Sequence, residues 1–492
     1  MIARPDPRVL VALALLMLGS LLLRTGALDS SYWIDEGISI GIASRDLLDI
    51  PGALGQDGSP PLYYLLLHGW MAVVGTGEAA TRGLSLIFAL LAVPVAFWAG
   101  SVVFDRRAGA LAAAGAAGCP FLTYYAQEAR MYSLVALLSM LVCASFVLAF
   151  LRGRREHLVL LGLWMTLLLY THTWAVYLAA GMAVAWLVLW REGRVSGRDG
   201  AWLGAAVLAL YAPWLPSLLY QAAHTAAPWA ERPSAIKLLE VPGDLFGEFA
   251  TPLLAVAVIA ALWRARGHVR EEVRVLATIG LAAAALAWIG SQVQPAWAGR
   301  YLAVLFGPLL LALAATVARG TRVTAVALVA VAALWVAYSP LAPKSNVRHV
   351  AADVTPSIRA GDIVVSTQPE QVPVLNRYLP SGVVYVTPLG IVYDAGVTDW
   401  RDGMEKLRTG RASRDLLPLL DRLGPGRRVL LVTPVSGRRR SQAPWKRTIR
   451  IRTREWRRVL RDDPRLMPIG QAPKSTFPHR RSTVRAEIFE VR

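Results

Sequence analysis

Long apolar stretches dominate the first two thirds of the chain. Eleven of them carry almost no charge: 9–27, 83–104, 108–125, 131–151, 158–170, 174–190, 201–219, 251–263, 275–291, 301–318 and 323–340. Most approach the ~20 residues that a helix needs to cross the hydrocarbon of a bilayer, and flanking aromatic residues can extend the shorter ones. The pattern therefore predicts a polytopic α-helical membrane protein with about eleven transmembrane helices.

A further apolar stretch, 62–74, decides how these spans are oriented. If it crossed the membrane, five basic loops would lie outside the cell, against the bias of Lys and Arg toward the cytoplasm; they are 106–107, 152–155, 191–194, 264–274 and 319–322. The stretch is also short for a span. We therefore expect a re-entrant or juxtamembrane helix at 62–74, a cytoplasmic N-terminus and an extracytoplasmic C-terminus, with the protein in the cell membrane.

Composition agrees with a membrane protein and excludes a soluble one. Of the 492 residues, 55% are hydrophobic and 17% are charged, and the mean hydropathy is +0.44. The two cysteines, Cys119 and Cys143, lie within apolar stretches. No disulfide framework is therefore expected in any exposed part.

Charge divides the chain into two parts. The formal net charge is +19, and residues 344–492 contribute most of it through 29 Lys and Arg against 14 Asp and Glu. We therefore expect a transmembrane domain over 1–343 and a basic extracytoplasmic domain over 344–492.

The second part has the pattern of a small soluble α/β domain. Short apolar runs predict strands at 362–366, 383–387, 429–435 and 485–491, and helices are predicted around 369–378, 400–407, 413–423 and 453–461. Its basic runs, 438–440 and 446–461, predict contact with anionic lipid headgroups or an anionic glycan, although a solvated basic face has the same pattern. No phosphate-binding glycine loop follows the strands, and nucleic acid is not an expected partner outside the cell.

With this topology, polar residues gather in the outer loops, which are 28–82, 126–130, 171–173, 220–250 and 292–300. In or beside these loops lie Asp35, Glu36, Asp57, Tyr63, Tyr64, Arg82, Gln127, Glu128, Arg130, His172, Glu231, Arg300 and Tyr301. Charged side chains at a membrane surface indicate a site, whereas a transporter more often places them within its spans. The pair Asp35-Glu36 is the strongest candidate for chemistry, although acidic residues also mark ordinary helix starts.

The motifs of these loops resemble those of the GT-C membrane glycosyltransferases. The resemblance rests on Asp35-Glu36, on SPPLYY at 59–64, on Arg82 and on YAQEARMYS at 125–133. More narrowly, the chain looks like the protein-mannosyltransferase and aminoarabinose-transferase-like branch, which takes sugars from polyprenyl phosphates. The resemblance is dense in the N-terminal half, reaches Arg300-Tyr301 weakly and says little about 344–492. The chain also has Gly58-Ser59 before the prolines, where many relatives carry a His.

The resemblance implies sugar transfer from a polyprenyl-phosphate donor, for which the acceptor hydroxyl must lose its proton to a base. Asp35 is the predicted base. The leaving group is a phosphate, so cations rather than a protonated carboxyl must stabilise it, and the guanidinium groups of Arg130 and Arg300 suit phosphate oxygens. The implied activity is an inverting transfer of mannose or arabinofuranose to an envelope glycan, lipid or protein.

The remaining candidates are expected to hold the substrates. Glu36 and Glu128 would orient the sugar, the acceptor or the arginines, although Glu128 could simply balance Arg130. His172 is either a contact of the lipid phosphate or a hydrogen-bonded turn residue. The predicted donor site also includes Tyr63, Tyr64, Gln127 and Tyr301. No spaced metal-ligand motif appears, so no cofactor is expected to be required, while the acidic residues leave a divalent cation open.

Two other functional classes fit parts of the pattern. A flippase or transporter of lipid-linked saccharides predicts charged residues within the spans, which carry almost none. A non-catalytic envelope assembly protein would work through its basic outer domain. The gathering of polar residues at the outer face favours the glycosyltransferase.

Overall fold

The helices of the N-terminal part follow the predicted apolar stretches. A computed structural model describes residues 6–225, 227–338, 344–435, 441–473 and 483–492. The α-helices up to residue 338 are α1 Pro7–Leu23, α2 Ile34–Ala43, α3 Ile50–Asp57, α4 Leu62–Val74, α5 Glu78–Val103, α6 Arg106–Gly118, α7 Pro120–Tyr125, α8 Tyr132–Phe150, α9 Glu156–Thr171, α10 Ala175–Arg191, α11 Gly197–Tyr211, α12 Leu215–His224, α13 Ile236–Phe246, α14 Thr251–Arg264, α15 Glu271–Val293, α16 Phe306–Val317 and α17 Arg322–Ala337.

Three of the predicted stretches contain a break. The stretch 108–125 divides into α6 and α7 at Pro120, which lacks the N–H needed to continue α6. The stretch 201–219 tightens into a 3-10 turn at Ala212–Trp214, and 301–318 begins as the 3-10 helix Gly299–Leu305. These irregular turns lie next to the predicted outer face. Backbone groups there can form hydrogen bonds with water or side chains, which the interior of a membrane does not provide.

By length and apolar composition, five helical segments can cross a membrane: Glu78–Val103, Tyr132–Phe150, Gly197–His224, Glu271–Val293 and Gly299–Val317. The pair α13 and α14, which is bent by 94°, makes a sixth if it counts as one span. Five shorter apolar helices are α1, α4, α9, α10 and α17. The chain is a multi-pass helical membrane protein, and its division into eleven spans stays a prediction.

The predicted outer loops contain helices that hydropathy does not indicate. Helices α2 and α3 lie in the loop 28–82, and α13 lies in the loop 220–250. Helix α2 is short and contains two glycines, and α13 carries Lys237, Glu240 and Asp244 on an otherwise apolar sequence. Tertiary packing rather than helix propensity stabilises such segments, so the sequence pattern alone does not reveal them.

Helix α8 forms the centre of the bundle. Nearly all of its residues are buried, from Tyr132 to Ala149. Next to it, α5 and α6 approach closely through small residues, because a Cβ on Gly100 would lie 2.8 Å from the Cα of Gly109. Close contacts between small residues are a common way for helices to associate in membranes.

The C-terminal part is built on one six-stranded sheet. Its strands are β1 Ile363–Ser366, β2 Val384–Thr387, β3 Gly390–Val392, β4 Arg428–Pro434, β5 Leu466–Ala472 and β6 Val484–Val491, in the order β3-β2-β1-β4-β6-β5. Strand β1 pairs in parallel with β2 and β4, and the remaining pairs are antiparallel. The helices here are α18 Val347–Val354, α19 Val372–Tyr378, α20 Gly403–Thr409, α21 Ala412–Asp415, α22 Leu417–Leu420 and α23 Pro444–Asp462.

The four predicted strands coincide with β1, β2, β4 and β6 and are confirmed. Strands β3 and β5 were not predicted, since β3 has three residues and β5 contains Pro468 and a register shift at Gly470. Helix α23 begins nine residues before the predicted 453–461, because its first turns alternate Arg with apolar residues and resemble a strand pattern. The predicted boundary near 343 and the basic run 438–440 lie outside the described residues.

The C-terminal part packs directly on the helical part. One buried apolar cluster contains Tyr32 and Ile38 of the first outer loop together with Val347 and Val374. Polar contacts join the same surfaces: Arg348 and Tyr378 both bind Glu78, at 3.1 and 2.8 Å. The sheet therefore lies against the face on which the predicted site residues gather.

Candidate active site

The first turn of α2 carries the acidic pair, and its two carboxylates have different surroundings. Glu36 is fully buried, and its oxygens accept two hydrogen bonds of 2.7 Å from the guanidinium of Arg82. A third comes from the backbone N–H of Ala129 at 2.9 Å. Burial raises the pKa of Glu36, but the charge of Arg82 outweighs it and holds the pKa below its usual range. Glu36 is thus an ionised residue whose acceptor positions are already taken.

Arg82 extends this buried pair into a clamp on the first outer loop. Its Nη1 donates to the carbonyls of Leu28 and Ser30, each at 2.6 Å. A guanidinium offers five donors in a fixed plane, so it can fix several carbonyls and one carboxylate at once. The clamp sets the position from which α2 starts.

Asp35, one residue earlier, faces the opposite way and keeps a free oxygen. Its side chain is 17% exposed, and its Oδ2 has no hydrogen-bond partner in the described part of the chain. The nearest cation is Arg300, whose Nη2 lies 3.7 Å from Oδ2. This carboxylate can therefore accept a proton from a substrate beside a fixed positive charge.

Arg130 lies next to the start of α2. Its Nη1 donates to the hydroxyl of Ser39 at 2.9 Å, and more weakly to the hydroxyl of Tyr64 and the carbonyl of Asp35, both at 3.3 Å. Its Nε has no partner among the described residues. The hydrogen bonds of this guanidinium go to neutral oxygens, and Asp35 and Asp57 act on it only through their charge.

Arg300, in the 3-10 helix Gly299–Leu305, stacks between aromatic rings. Its guanidinium carbon lies 4.6 Å from the ring centre of Trp229 and 5.2 Å from that of Tyr301. Beside it is a cavity of about 350 Å³ lined by Pro120, Phe121, Tyr124, Tyr125, Gly243, Asp244, Gly247, Ala298, Gly299 and Arg300. The structure therefore places Asp35, Arg130 and Arg300 together, and a cavity lies beside Arg300.

The tyrosines of the SPPLYY motif have separate contacts. The Tyr64 hydroxyl donates to Asp57 Oδ2 at 3.4 Å and accepts from Arg130. Tyr63 instead bonds to the hydroxyl of Ser85 at 2.8 Å, and both tyrosines are fully buried. Of these two tyrosines, only Tyr64 forms a hydrogen bond with Arg130.

Asp57 is a second carboxylate of the site, which the sequence analysis placed in the outer loops without giving it a role. Besides Tyr64, the hydroxyl of Ser59 donates to its Oδ2 at 2.5 Å. Burial raises the pKa of Asp57, against the lowering effect of nearby Arg130. Its position just before the SPPLYY motif was the available signal.

His172 is a buried, neutral residue of the site. Its Nδ1 accepts the backbone N–H of Trp174 at 3.0 Å, which leaves the ring proton on Nε2. Burial, with Arg130 and Arg300 nearby, lowers the pKa of His172 to about 3. Its ring centre lies 4.8 Å from that of Tyr301. His172 is therefore a hydrogen-bonded turn residue, and its remaining Nε2–H near the arginines is also compatible with a contact to the lipid phosphate.

Gln127 and Glu128 face away from Arg130. The amide of Gln127 bonds to the backbone of Ala27 and Thr123, at 2.9 and 2.8 Å. Glu128 is fully buried and binds the Nζ of Lys344 at 2.7 Å, so it does not balance Arg130. Burial raises the pKa of Glu128 and lowers that of Lys344, each against the charge of the other.

Lys344 comes from the start of the C-terminal part and was missed. Its Nζ also lies 3.9 Å from the ring centre of Tyr124, which lines the cavity beside Arg300. The hydrogen bond from Lys344 to Glu128 joins residues that are 216 apart in the chain, and no local pattern indicates it.

The C-terminal part also covers the site with Glu370 and Trp445. The Trp445 indole N–H donates to the carboxylate of Glu370 at 3.1 Å. Burial raises the pKa of Glu370, with Asp35 contributing through its negative charge. Among the described residues, no group of three or more His, Cys, Asp or Glu could hold a metal ion. Transfer without a required cofactor stays a prediction.

Comparisons with known proteins agree with the resemblance seen in the motifs. Residues 58–217 match the family described as dolichyl-phosphate-mannose-protein mannosyltransferase. This segment includes Tyr64, Arg130 and His172 but neither Asp35 nor Arg300. No curated protein matches the chain by sequence.

Solved structures match over most of the chain. ArnT from Cupriavidus metallidurans bound to undecaprenyl phosphate is 11% identical with a TM-score of 0.59, and the match covers 98% of this chain and 97% of that one. The apo oligosaccharyltransferase of Archaeoglobus fulgidus is 12% identical with a TM-score of 0.56, covering 86% and 69%. The arabinofuranosyltransferase AftD from Mycobacteria is 18% identical with a TM-score of 0.58, covering 99% and 40%.

The chain has the GT-C fold. Within this GT-C fold, the residues predicted from the loops meet where the sheet-bearing C-terminal part covers the helices. The match to ArnT spans both parts of the chain. A GT-C fold is compatible with several sugars and acceptors, so the chemistry must come from the site itself.

Proposed function

We propose that this protein transfers a sugar from a polyprenyl-phosphate-linked donor to an acceptor of the cell envelope. One observation carries the proposal: Asp35, a carboxylate with an oxygen that has no hydrogen-bond partner in the described residues, lies beside the guanidinium groups of Arg130 and Arg300, next to a cavity. The fold agrees, since the similar ArnT structure is bound to undecaprenyl phosphate.

Asp35 acts as the general base in this mechanism. Its free Oδ2 accepts the proton of the acceptor hydroxyl while that oxygen attacks the anomeric carbon of the donor sugar. The bond between that carbon and the phosphate oxygen breaks, and its electron pair leaves with the phosphate. A single displacement from the opposite side inverts the anomeric configuration.

Arg130 and Arg300 stabilise the leaving polyprenyl phosphate. Both guanidinium groups remain charged at any relevant pH, and each has an Nε without a partner in the described residues. His172 donates a further hydrogen bond through Nε2 without adding charge. With this charge supplied by the protein, we propose that no cofactor is required, and we expect transfer to continue in EDTA.

Other residues position these groups. Glu36 holds Arg82 and α2, Tyr64 and Asp57 flank Arg130, and Tyr301 packs on both Arg300 and His172. Tyr63, Gln127 and Glu128 support the surrounding loops through Ser85, the backbone and Lys344.

The polyprenyl chain would lie among the membrane helices. An apolar cavity of about 300 Å³ between α1, α6, α14, α16 and α17 includes Gly118 and Phe246 in its lining. The cavity beside Arg300 is lined by Pro120 and Gly247. Pro120 is two residues from Gly118 and Gly247 is next to Phe246, so the two cavities are close to each other. An isoprenoid chain there could present its phosphate to the arginines.

The site favours the glycosyltransferase over the other two classes. The two cations proposed to bind phosphate, Arg130 and Arg300, lie on a turn and a 3-10 helix rather than along a path through the described spans, as a flippase would require. A non-catalytic assembly protein would not need a carboxylate oxygen without a hydrogen-bond partner beside two arginines. Mannose and arabinofuranose are the proposed sugars, and the proposed site faces the extracytoplasmic side of the cell membrane.

Replacement of Asp35 tests the base. Release of undecaprenyl phosphate from synthetic mannosyl and arabinofuranosyl donors would be measured with purified protein and a cell-envelope extract. We expect Asp35→Asn to slow transfer at least ~100-fold, with donor affinity little changed.

The matched control is Asp46→Asn, an exposed aspartate of the same outer loop, which should transfer at the normal rate. Near-normal transfer by Asp35→Asn would refute the assignment. Asp57→Asn would then be the variant to measure, since Asp57 is the other carboxylate near Arg130.

A further inference from the structure

Helix α23 carries a continuous basic face that the transfer mechanism does not use. Lys446, Arg450, Arg454 and Arg458 follow one another every fourth residue, and Arg447 and Arg461 lie beside them. Each residue turns a helix by ~100°, so these six side chains share about a third of its circumference. They extend ~18 Å along the axis from Lys446 to Arg458. We call these six residues the basic face of α23.

Much of this charge has no protein partner. Arg461 binds Glu487 at 2.7 Å, and Arg450 donates to the carbonyl of Ser441. Arg447, Arg454 and Arg458 are exposed and have no ion-pair partner among the described residues. The stretches outside that description contain no Asp or Glu. Like charges at this spacing destabilise a helix, so the arrangement favours an anionic ligand.

The other face of α23 is not free to enter a membrane. Trp445, Ile449, Trp456 and Leu460 are buried against the C-terminal part itself. Ile451 is the one apolar residue of this helix that is exposed. A helix that lies in a lipid surface needs an unoccupied apolar face, so these contacts favour a soluble polyanion over lipid headgroups.

The start of α23 lies at the transfer site. The backbone N–H of Trp445 donates to the carbonyl of Pro228 at 3.1 Å, and its indole N–H donates to Glu370, which lies close enough to Asp35 to feel its charge. Glu231 accepts bonds from Ser441 and Gln442, just before the helix. The last turns contact β6 of the sheet through Glu487. The basic face therefore leads from the site out along the C-terminal part.

Aromatic rings stand where this face begins. Trp400 and Trp229 are partly exposed there. Trp400 packs on the fully buried Trp445 with 5.0 Å between the ring centres, and Trp229 packs on both Arg300 and Tyr301. Aromatic faces suit the apolar faces of sugar rings, while the cations that follow suit acidic groups. Together they favour one kind of polymer, a glycan that bears negative charges.

We propose that the acceptor is a polyanionic glycan whose chain runs along the basic face of α23 and whose end reaches Asp35. This inference rests on the proposed function for its acceptor role, but the binding itself can be measured without transfer. Charge rather than sequence-specific contact provides the affinity, so binding weakens as salt rises.

The test uses the full-length protein in zwitterionic nanodiscs, with dextran sulfate as the anionic probe and uncharged dextran for comparison. Dextran sulfate should bind and dextran should not. The combined variant Lys446→Glu, Arg454→Glu and Arg458→Glu should lower the affinity for dextran sulfate at least about tenfold.

The control variant combines Arg359→Glu, Arg408→Glu and Arg422→Glu, three exposed arginines away from this face. It has the same net charge as the test variant, and its affinity should stay within about threefold of the wild type. Thermal unfolding of both variants should match the wild type, because the replaced side chains are exposed. Asp35→Asn should bind dextran sulfate normally, so failure of the proposed base and failure of this inference give different results.

Equal losses in the test and control variants would overturn the proposal, since binding would then follow net charge alone. It would also be overturned if the test variant bound dextran sulfate normally but lost binding to vesicles containing phosphatidylglycerol. That outcome would assign the basic face to the membrane surface.

Discussion

At the scale of single residues, the neighbouring carboxylates of α2 show how position decides role. Asp35 and Glu36 are equivalent candidates in the sequence, yet Glu36 is enclosed by Arg82 and Ala129 while Asp35 keeps a free oxygen. Those partners lie 46 and 93 residues away along the chain. The acidic pair could be found from its place in a loop, but the division of roles depends on packing.

The sequence likewise indicated Asp35, Arg130 and Arg300 as candidates in separate outer loops, but it did not indicate which of them are in contact. The sequence predicts that these loops share a face only if the stretch 62–74 does not cross the membrane. In contrast, Lys344 and Glu370 come from the C-terminal part, where neither hydropathy nor motif connects them with the site.

Arg300 offers a residue-scale prediction on donor binding. Its replacement by Ala removes the cation next to Asp35. In the described residues, no carboxylate oxygen lies within 3.5 Å of the Arg300 guanidinium nitrogens. A hydrogen bond to a charged group contributes about 1.5–3 kcal/mol, so Arg300→Ala should weaken undecaprenyl phosphate binding roughly ten- to a hundredfold. Binding to purified protein in detergent can be followed by native mass spectrometry.

Arg45→Ala is the matched control for that measurement. Arg45 is an arginine of the outer loop that carries Asp35, but it pairs with Asp394 at 2.7 Å. Its loss should leave lipid affinity unchanged. Unchanged affinity in Arg300→Ala as well would remove Arg300 from the donor site.

At the scale of elements, α2 is held between the helical bundle and the C-terminal part with no spare room. A Cβ on Gly37 would lie 2.5 Å from the Val374 side chain, and one on Gly41 would lie 2.0 Å from the carbonyl oxygen of Gly396. The glycines lower helix propensity, which helps to explain why the sequence did not indicate a helix here. They are used instead for close packing.

Gly41→Ala should therefore disturb the whole element. The new methyl group meets backbone that cannot rotate away, so α2 or the loop at Gly396 must shift, at a cost of about 1–3 kcal/mol in the free energy of unfolding. Because α2 carries Asp35, transfer should fall at least tenfold, since small displacements of reacting groups are expensive. Both effects can be measured on the purified protein.

Gly52→Ala provides the comparison on the next helix of the same loop. A Cβ at Gly52 has no atom within 4 Å, so stability and transfer should remain at wild-type levels. If Gly41→Ala behaved in the same way, α2 would not be confined as its contacts indicate.

Regular elements with strong periodicity were predictable, and those made by packing were not. The apolar stretches predicted α8 and α15 within a few residues, and the runs of Val and Leu predicted β1 and β4. Helix α13 and strand β5 were missed because their polar residues and prolines mask the period.

At the scale of the whole molecule, the loops predicted to lie outside do converge on one face. Contacts join 28–82 to 126–130 through Glu36 and Ala129, and 220–250 to the C-terminal part through Glu231 and Ala443. Helix α4 is 13 residues long, ~20 Å, against the ~30 Å of membrane hydrocarbon. The orientation of this face relative to the cell stays a prediction.

Cysteine labelling of intact cells tests that orientation. An impermeant maleimide should label Asp46→Cys in the first outer loop and Tyr393→Cys in the C-terminal part, both exposed positions. It should not label Arg154→Cys, which lies in a predicted cytoplasmic loop. The native Cys119 and Cys143 are buried and should give little background.

The reverse pattern at positions 393 and 154 would place the C-terminal part in the cytoplasm. The proposed extracytoplasmic transfer would then be untenable. Labelling of permeabilised cells shows that all three cysteines are reactive when reached, which guards against a false negative.

The contact between the two parts of the chain has a consequence for how this architecture can diversify. Lys344 neutralises Glu128 inside the helical part, while Glu231 of an outer loop caps the approach to α23 in the other part. A hybrid that combined these helices with the C-terminal part of a distant relative would leave a buried carboxylate without its counter-charge, a defect of about 3–5 kcal/mol, and would expose the start of α23. A change of acceptor specificity in such proteins is therefore expected to need paired substitutions in the outer loops and in the C-terminal part. Exchange of either part alone would disrupt the contacts between them.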